Sequence, residues 1–176
     1  MNDALPKRAV LVVNAMSRNG EAAFEQARSL LTERGIELVE AHAIKDPDDM
    51  QPTVRRALER KAPMIIVGGG DGSLSSTIDD FLGTDTVFAV LPLGTANSFA
   101  RTLGIGTDLE AAVDTIATGR KMRIDLGAID GDYFANAAAM GLSPLIAETV
   151  PHKLKRYLGM VGYMIWAMRV AFKFRP

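Results

Sequence analysis

Val67-Gly68-Gly69-Gly70-Asp71-Gly72-Ser73-Leu74 is the stretch on which the reading of this chain turns. An apolar run, Met64 to Val67, feeds straight into glycines and an aspartate, and a helical pattern follows. Glycines at a strand-to-helix corner are expected to take positive φ and to admit a ligand without Cβ interference. The helix behind them offers unpaired N–H groups and the positive end of its dipole, which suits a phosphate. A carboxylate such as Asp71 in that corner implies a metal ion or a substrate proton nearby. The residues alone describe a nucleotide-phosphate corner with an acid placed for Mg²⁺ or for a hydroxyl.

Upstream of the corner, Ala9-Val10-Leu11-Val12-Val13 is a continuous apolar run, the pattern of a strand buried on both faces. After the break at Ser17 to Gly20, Glu21 to Arg34 reads as a helix with Ala23, Ala27, Leu30 and Leu31 on one stripe. Gly35 is placed to cap it, Ile36 to Ala43 reads as a second strand, and Asp46 to Lys61 as a second helix. Downstream, a helix from Gly72 to Leu82 and a strand from Thr86 to Leu91 lead to Pro92-Leu93-Gly94-Thr95-Ala96-Asn97-Ser98-Phe99-Ala100-Arg101. This is a second loop-to-helix corner, and another helix runs from Asp108 to Thr118. Strands alternating with helices over short connections predict an α/β, doubly wound, mostly parallel sheet with helices on both faces. Ligands of such sheets gather beyond the carboxyl ends of the strands, where both corners fall.

The pattern changes after Arg120. Arg123 to Ala128 and Tyr133 to Met140 read as strands joined by an Asp/Gly turn, a hairpin signal, and Lys153 to Lys173 reads as a long helix. The expected division is therefore residues 1–121 as a nucleotide-binding α/β domain and 122–176 as the start of a β-rich second domain. That second domain looks truncated at Pro176. The basic ends of the last helix, Lys153, Lys155, Arg156, Arg169, Lys173 and Arg175, would suit transient contact with a membrane surface, and burial against a core is the plainer reading.

Composition narrows the function classes. A net charge of −1 gives no positive field, which argues against nucleic acid as a partner. The absence of cysteine excludes disulfides and thiolate chemistry. The N-terminus lacks the apolar run of a secretory signal, and no apolar stretch reaches a membrane span. A cytoplasmic protein is expected, with homodimerisation left open. His42 and His152 lie far apart with no ligand pattern.

The first corner is neither a Walker A sequence nor a Rossmann fingerprint. Gly69-Gly70-Asp71-Gly72-Ser73 followed by Leu91 to Arg101 instead resembles the catalytic domain of diacylglycerol kinases, which include sphingosine and bacterial lipid kinases and are similar in fold to NAD kinases and 6-phosphofructokinases. Asn14 with Ser17 and Gly20, and Phe134-Ala135-Asn136 leading to Gly141, extend the resemblance over essentially the whole chain. It implies an ATP-dependent transfer of the γ-phosphoryl group to a hydroxyl of diacylglycerol or a related lipid, with ATP and Mg²⁺ as cofactors. Gly69, Gly70, Gly72, Ser73, Gly94, Thr95 and Asn97 would line the nucleotide phosphates, with Asn14 nearby. Asp71 and Asp125 would be catalytic, Asp71 reaching Mg²⁺ through water. Such chemistry is mostly positioning and charge neutralisation.

The chain departs from the family's pattern at three places. Ser98 stands where an aspartate is usual, Ser75-Ser76 where Asn-Glu is common, and Ile44 near the usual threonine of the second-strand loop. Taken alone, Asp71 would be read as a helix N-terminal acid, and Asn97 and Ser98 as caps of the helix through Arg101. Two alternatives follow: a NAD kinase-like enzyme, which shares Gly-Gly-Asp-Gly, or an inactive nucleotide-binding fragment.

Overall fold

The computed structural model describes residues 4–16, 20–135, 149 and 166–170. Four parallel strands form one sheet: β1 (Arg8–Asn14), β2 (Glu37–Ile44), β3 (Met64–Gly69) and β4 (Val87–Pro92), in the order β2-β1-β3-β4. The helices are α1 (Gly20–Glu33), α2 (Met50–Glu59), α3 (Asp71–Ile78), α4 (Ser98–Thr102) and α5 (Leu109–Thr118). This is the expected mostly parallel α/β sheet with a helical layer on each face.

The apolar runs make two cores because successive side chains of a strand point to opposite faces. Leu11, Val13, Met64, Ile66, Ala89 and Leu91 face one layer, where Phe24, Ala27, Leu31, Val113 and Ile116 of α1 and α5 meet them. Val10, Val12, Ile65, Val67 and Val90 face the other, against Met50, Val54, Leu74, Ile78 and Phe99. All six residues of β3 are buried, as suits a strand covered on both faces and paired on both edges. Phe24, which the helical stripe had passed over, is the large buried side chain of α1.

Several boundaries differ from those the periodicity predicts. Pro47–Asp49 is a 3-10 turn ahead of α2, with Asp46 Oδ1 accepting from the Asp48 N–H at 3.1 Å. Asp79–Phe81 is likewise 3-10, so α3 ends at Ile78. On β2 the register slips between Ala9 and Val10, whose partners are Leu38 and Glu40, so Val39 bulges out. The bulge lets Leu38, Ala41 and Ala43 all reach the first core while Ile44 reaches the second.

Gly127–Ile129 (β5) pairs antiparallel with Asp132–Phe134 (β6) around Asp130 and Gly131, both at positive φ, which is the expected hairpin with shorter strands. The strand expected from Arg123 begins only at Gly127, and the one expected over Tyr133–Met140 ends at Phe134 with Ala135 in a bend; residues 136–140 lie outside the described residues. The chain divides into two compact units, Met1–Asn136 and Ala137–Pro176, and the hairpin belongs to the first. Of the expected Lys153–Lys173 helix, residues 166–170 are described and helical. Among the described residues no helix is long and apolar enough to cross a membrane.

Candidate nucleotide corner

Asn14, Gly69 and Pro92 end β1, β3 and β4 at the same edge of the sheet, since parallel registry aligns Val13 with Gly68 and Gly69 with Pro92. Asn14 Nδ2 donates to Ser73 Oγ at 2.9 Å, and Asn14 Oδ1 accepts from the Met16 N–H at 3.1 Å. The end of β1 is thereby tied to the first turn of α3.

Gly68 and Gly69 owe their identity to crowding. Among the described glycines positive φ occurs at Gly35, Gly83, Gly104 and Gly131, so the expectation of positive φ at Gly68 to Gly72 is corrected. Gly70, the N-cap of α3, is extended at φ −86° and ψ −179°. A Cβ on Gly68 would meet Val13 Cγ2 at 2.8 Å, and one on Gly69 would meet Ser73 Oγ at 2.7 Å. Gly72 faces open space.

The second corner closes on itself and then on the first. Asn97 is left-handed at φ 49° and ψ 45°, and its side chain is turned inward. Its Oδ1 accepts from the Gly94 N–H at 2.9 Å and its Nδ2 donates to the Gly94 carbonyl at 2.8 Å. Asn97 therefore holds the N-cap position of α4 without capping it. The Leu93 N–H donates to the Gly69 carbonyl at 2.9 Å, continuing the β3–β4 ladder past the strands. Arg101 Nε donates to the Ala96 carbonyl at 3.0 Å, tying α4 back to the loop that precedes it.

Asp71 supplies the cap of α4 from the other loop. Its Oδ2 accepts from the Ser98 N–H and its Oδ1 from the Phe99 N–H, both at 3.0 Å. The Phe99 amide holds the Asp71 carboxyl below its ordinary 3.8, aided by the Ser98 amide and hydroxyl, while burial pulls the other way. Asp71 is thus a permanent anion at neutral pH. Ser98 does not cap its own helix, as the sequence had suggested; it is the residue being capped.

These contacts bring together Asn14, Gly69, Gly70, Asp71, Ser73, Gly94 and Asn97. Gly72 and Thr95 are exposed at the corners. Asp125 is exposed in the segment before β5 and makes no hydrogen bond or ion pair with the described residues, so the strand position expected for it is corrected. The N–H groups of Asp71, Gly72 and Ser73 open α3 without intrahelical acceptors, the usual donor set for an anion. Phe99 and Leu93 complete the corner; sequence reasoning passed over them because each acts through a backbone amide, which no side-chain pattern marks.

The donor set also limits how a metal would be held. Among the described residues no three His, Asp or Glu converge on one point. Both Asp71 oxygens already accept an amide hydrogen, which takes up part of the carboxylate's lone-pair capacity. That suits a water on an ion carried by phosphate more than direct ligation.

The model of the diacylglycerol kinase catalytic domain matches residues 8–129. A diacylglycerol kinase of Bacillus subtilis (strain 168) is 33% identical over 177 residues, covering 97% of this chain and 57% of the relative. A protein of Klebsiella pneumoniae (strain 342) named probable lipid kinase YegS-like is 33% identical over 159 residues, covering 89% of this chain and 53% of the relative. The chain thus spans little more than half the length of these relatives. A solved diacylglycerol kinase structure from Bacillus anthracis (strain Sterne) shares the fold, with a TM-score of 0.64 and 24% identity over 73% of this chain and 48% of that one.

Proposed function

This chain belongs to the diacylglycerol kinase catalytic domain family, and on that premise we propose that it is the nucleotide-binding part of an ATP-dependent lipid kinase. The observation that carries the reading is the meeting of the two corners beyond β3 and β4, with the first amides of α3 left open beside them. In this reading Gly69, Gly70, Gly72, Ser73, Gly94 and Thr95 line the phosphates of ATP, and Asn14 and Asn97 hold that lining in shape. Asp71 keeps a fixed negative charge beside the site, available to water on Mg²⁺. The ion's contribution when bound is to neutralise phosphate charge during transfer. Asp125 is assigned to the transfer site on its match to the family motif. The acceptor is a hydroxyl of diacylglycerol or a related lipid, met at a membrane surface.

The test is transfer of label from γ-labelled ATP in the presence of Mg²⁺. The 176-residue chain and the longest natural reading frame containing it are each given diacylglycerol, sphingosine or NAD. Label in a lipid from the longer protein supports the proposal. Label in NAD, or in no acceptor at all, overturns it.

A further inference from the structure

The helix α4 is five residues long, too short to persist unaided, and the side chain at its N-cap is engaged elsewhere. Its first two amides are satisfied by a carboxylate 27 and 28 residues earlier in the chain. A cap normally comes from the adjoining residue. Supplied across two loops, it joins those loops as well as ending a helix. The join is reinforced where the Gly94 and Gly70 backbones meet and where Leu93 bonds Gly69, with Phe99 buried beneath.

We propose that Asp71 is a positioning residue whose carboxylate latches α4 and the Thr95 loop onto the glycine corner, and that this latch needs no divalent cation. The first two amides of α4 meet the charge that a directly bound ion would otherwise meet. The consequence for the site is specific. The donors of α3 and the loop bearing Thr95 form one preassembled cradle before nucleotide or metal arrives. The nucleotide arm of this inference rests on the function proposed above; the latch itself does not.

Asp71→Asn separates the two roles, because asparagine keeps one acceptor and turns an NH₂ group toward the other amide. Two quantities are read on the intact chain: amide hydrogen exchange across residues 94–104, and ADP affinity in EDTA and again in Mg²⁺. The latch predicts exchange about tenfold faster and an ADP affinity lowered by a similar factor in both conditions, the size of one lost charge-assisted hydrogen bond. Unchanged exchange, or a loss of ADP binding seen only in Mg²⁺, overturns it. Asp71→Glu keeps the charge but displaces the carboxylate by one methylene, and it covers the case in which Asp71→Asn does not fold. It should speed exchange to a smaller extent, about threefold, and no change there counts against the latch. A wild-type chain that binds no ADP would sink the nucleotide reading, while exchange would still decide the latch.

Discussion

Gly94 stands so close to Gly70 that a Cβ built on it would lie 2.5 Å from Gly70 Cα and 2.9 Å from Asn97 Oδ1. Both obstacles are held in place, one as backbone and the other by its hydrogen bonds to Gly94 itself. Gly94→Ala should therefore cost about 1–3 kcal/mol of stability by overpacking. Gly72→Ala is its contrast. Nothing lies within 4 Å of that position, so the fold should keep its stability or gain up to about 1 kcal/mol. ADP affinity should nevertheless fall, because the added methyl group occupies the approach to the α3 amides. Urea midpoints and ADP titrations of the two variants check the pair, and equal midpoints would show that the corners do not touch.

Asn97 combines a left-handed backbone with two side-chain bonds to Gly94, and the two contributions are separable. Asn97→Gly tolerates the φ of 49° and loses only the bonds, about 1–2 kcal/mol together. Asn97→Ala loses the bonds and also pays roughly 1–2 kcal/mol for the left-handed backbone. Alanine should thus be the less stable replacement, reversing the order found inside an ordinary helix. Equilibrium urea unfolding of the two variants gives the order directly.

The fold was legible because its signals are local. The apolar runs of β1 and β3 could only be strands buried on both faces, and Gly35 and Asp108 mark helix ends by their own chemistry. The two corners were legible as stretches of sequence but not as a set of contacts. Asp71 and Phe99 lie 28 positions apart, and what joins them is an amide that every residue possesses. The Val39 bulge was equally hidden, since pairing against β1 decides which face Glu40 takes. Glycine's two uses, positive φ and close approach, look alike in sequence. Here the second explains Gly68, Gly69 and Gly94, and it is visible only once Val13, Ser73 and Gly70 are in place.

Two acids close α3 at the negative end of its dipole, with no basic residue in the turn. Asp80 Oδ1 pairs with Arg55 Nε at 2.8 Å, whereas Asp79 Oδ1 and Asp80 Oδ2 are buried without a hydrogen-bond donor among the described residues. Asp79→Asn should raise stability by about 0.3–1 kcal/mol, because it removes a charge the dipole opposes. Asp80→Asn should lower it by up to about 1 kcal/mol through the weakened pair with Arg55. Opposite shifts in thermal midpoint are expected from adjacent, chemically identical substitutions. Two falls would show that the helix end does not govern Asp79, and two rises that the Arg55 pair does not outweigh it at Asp80.

Acid titration isolates the Asp71 contact. Its carboxyl is held below 3.8 in the folded chain, chiefly by the Phe99 amide, so the ionised form is the one that folding favours. A depressed carboxyl contributes its full stabilisation above the unfolded-state pKa and loses it as pH falls through the folded-state value. Asp71→Asn has no proton to take up at that position. The stability gap between wild type and variant should therefore be constant from neutrality down to about pH 5 and narrow progressively below about pH 4. Urea midpoints of both proteins at matched pH would show the two curves converging from the wild-type side. A gap that persists undiminished into the lower range would mean that the α4 amides bind the neutral carboxyl as well as the carboxylate, and charge would then play no part in the cap.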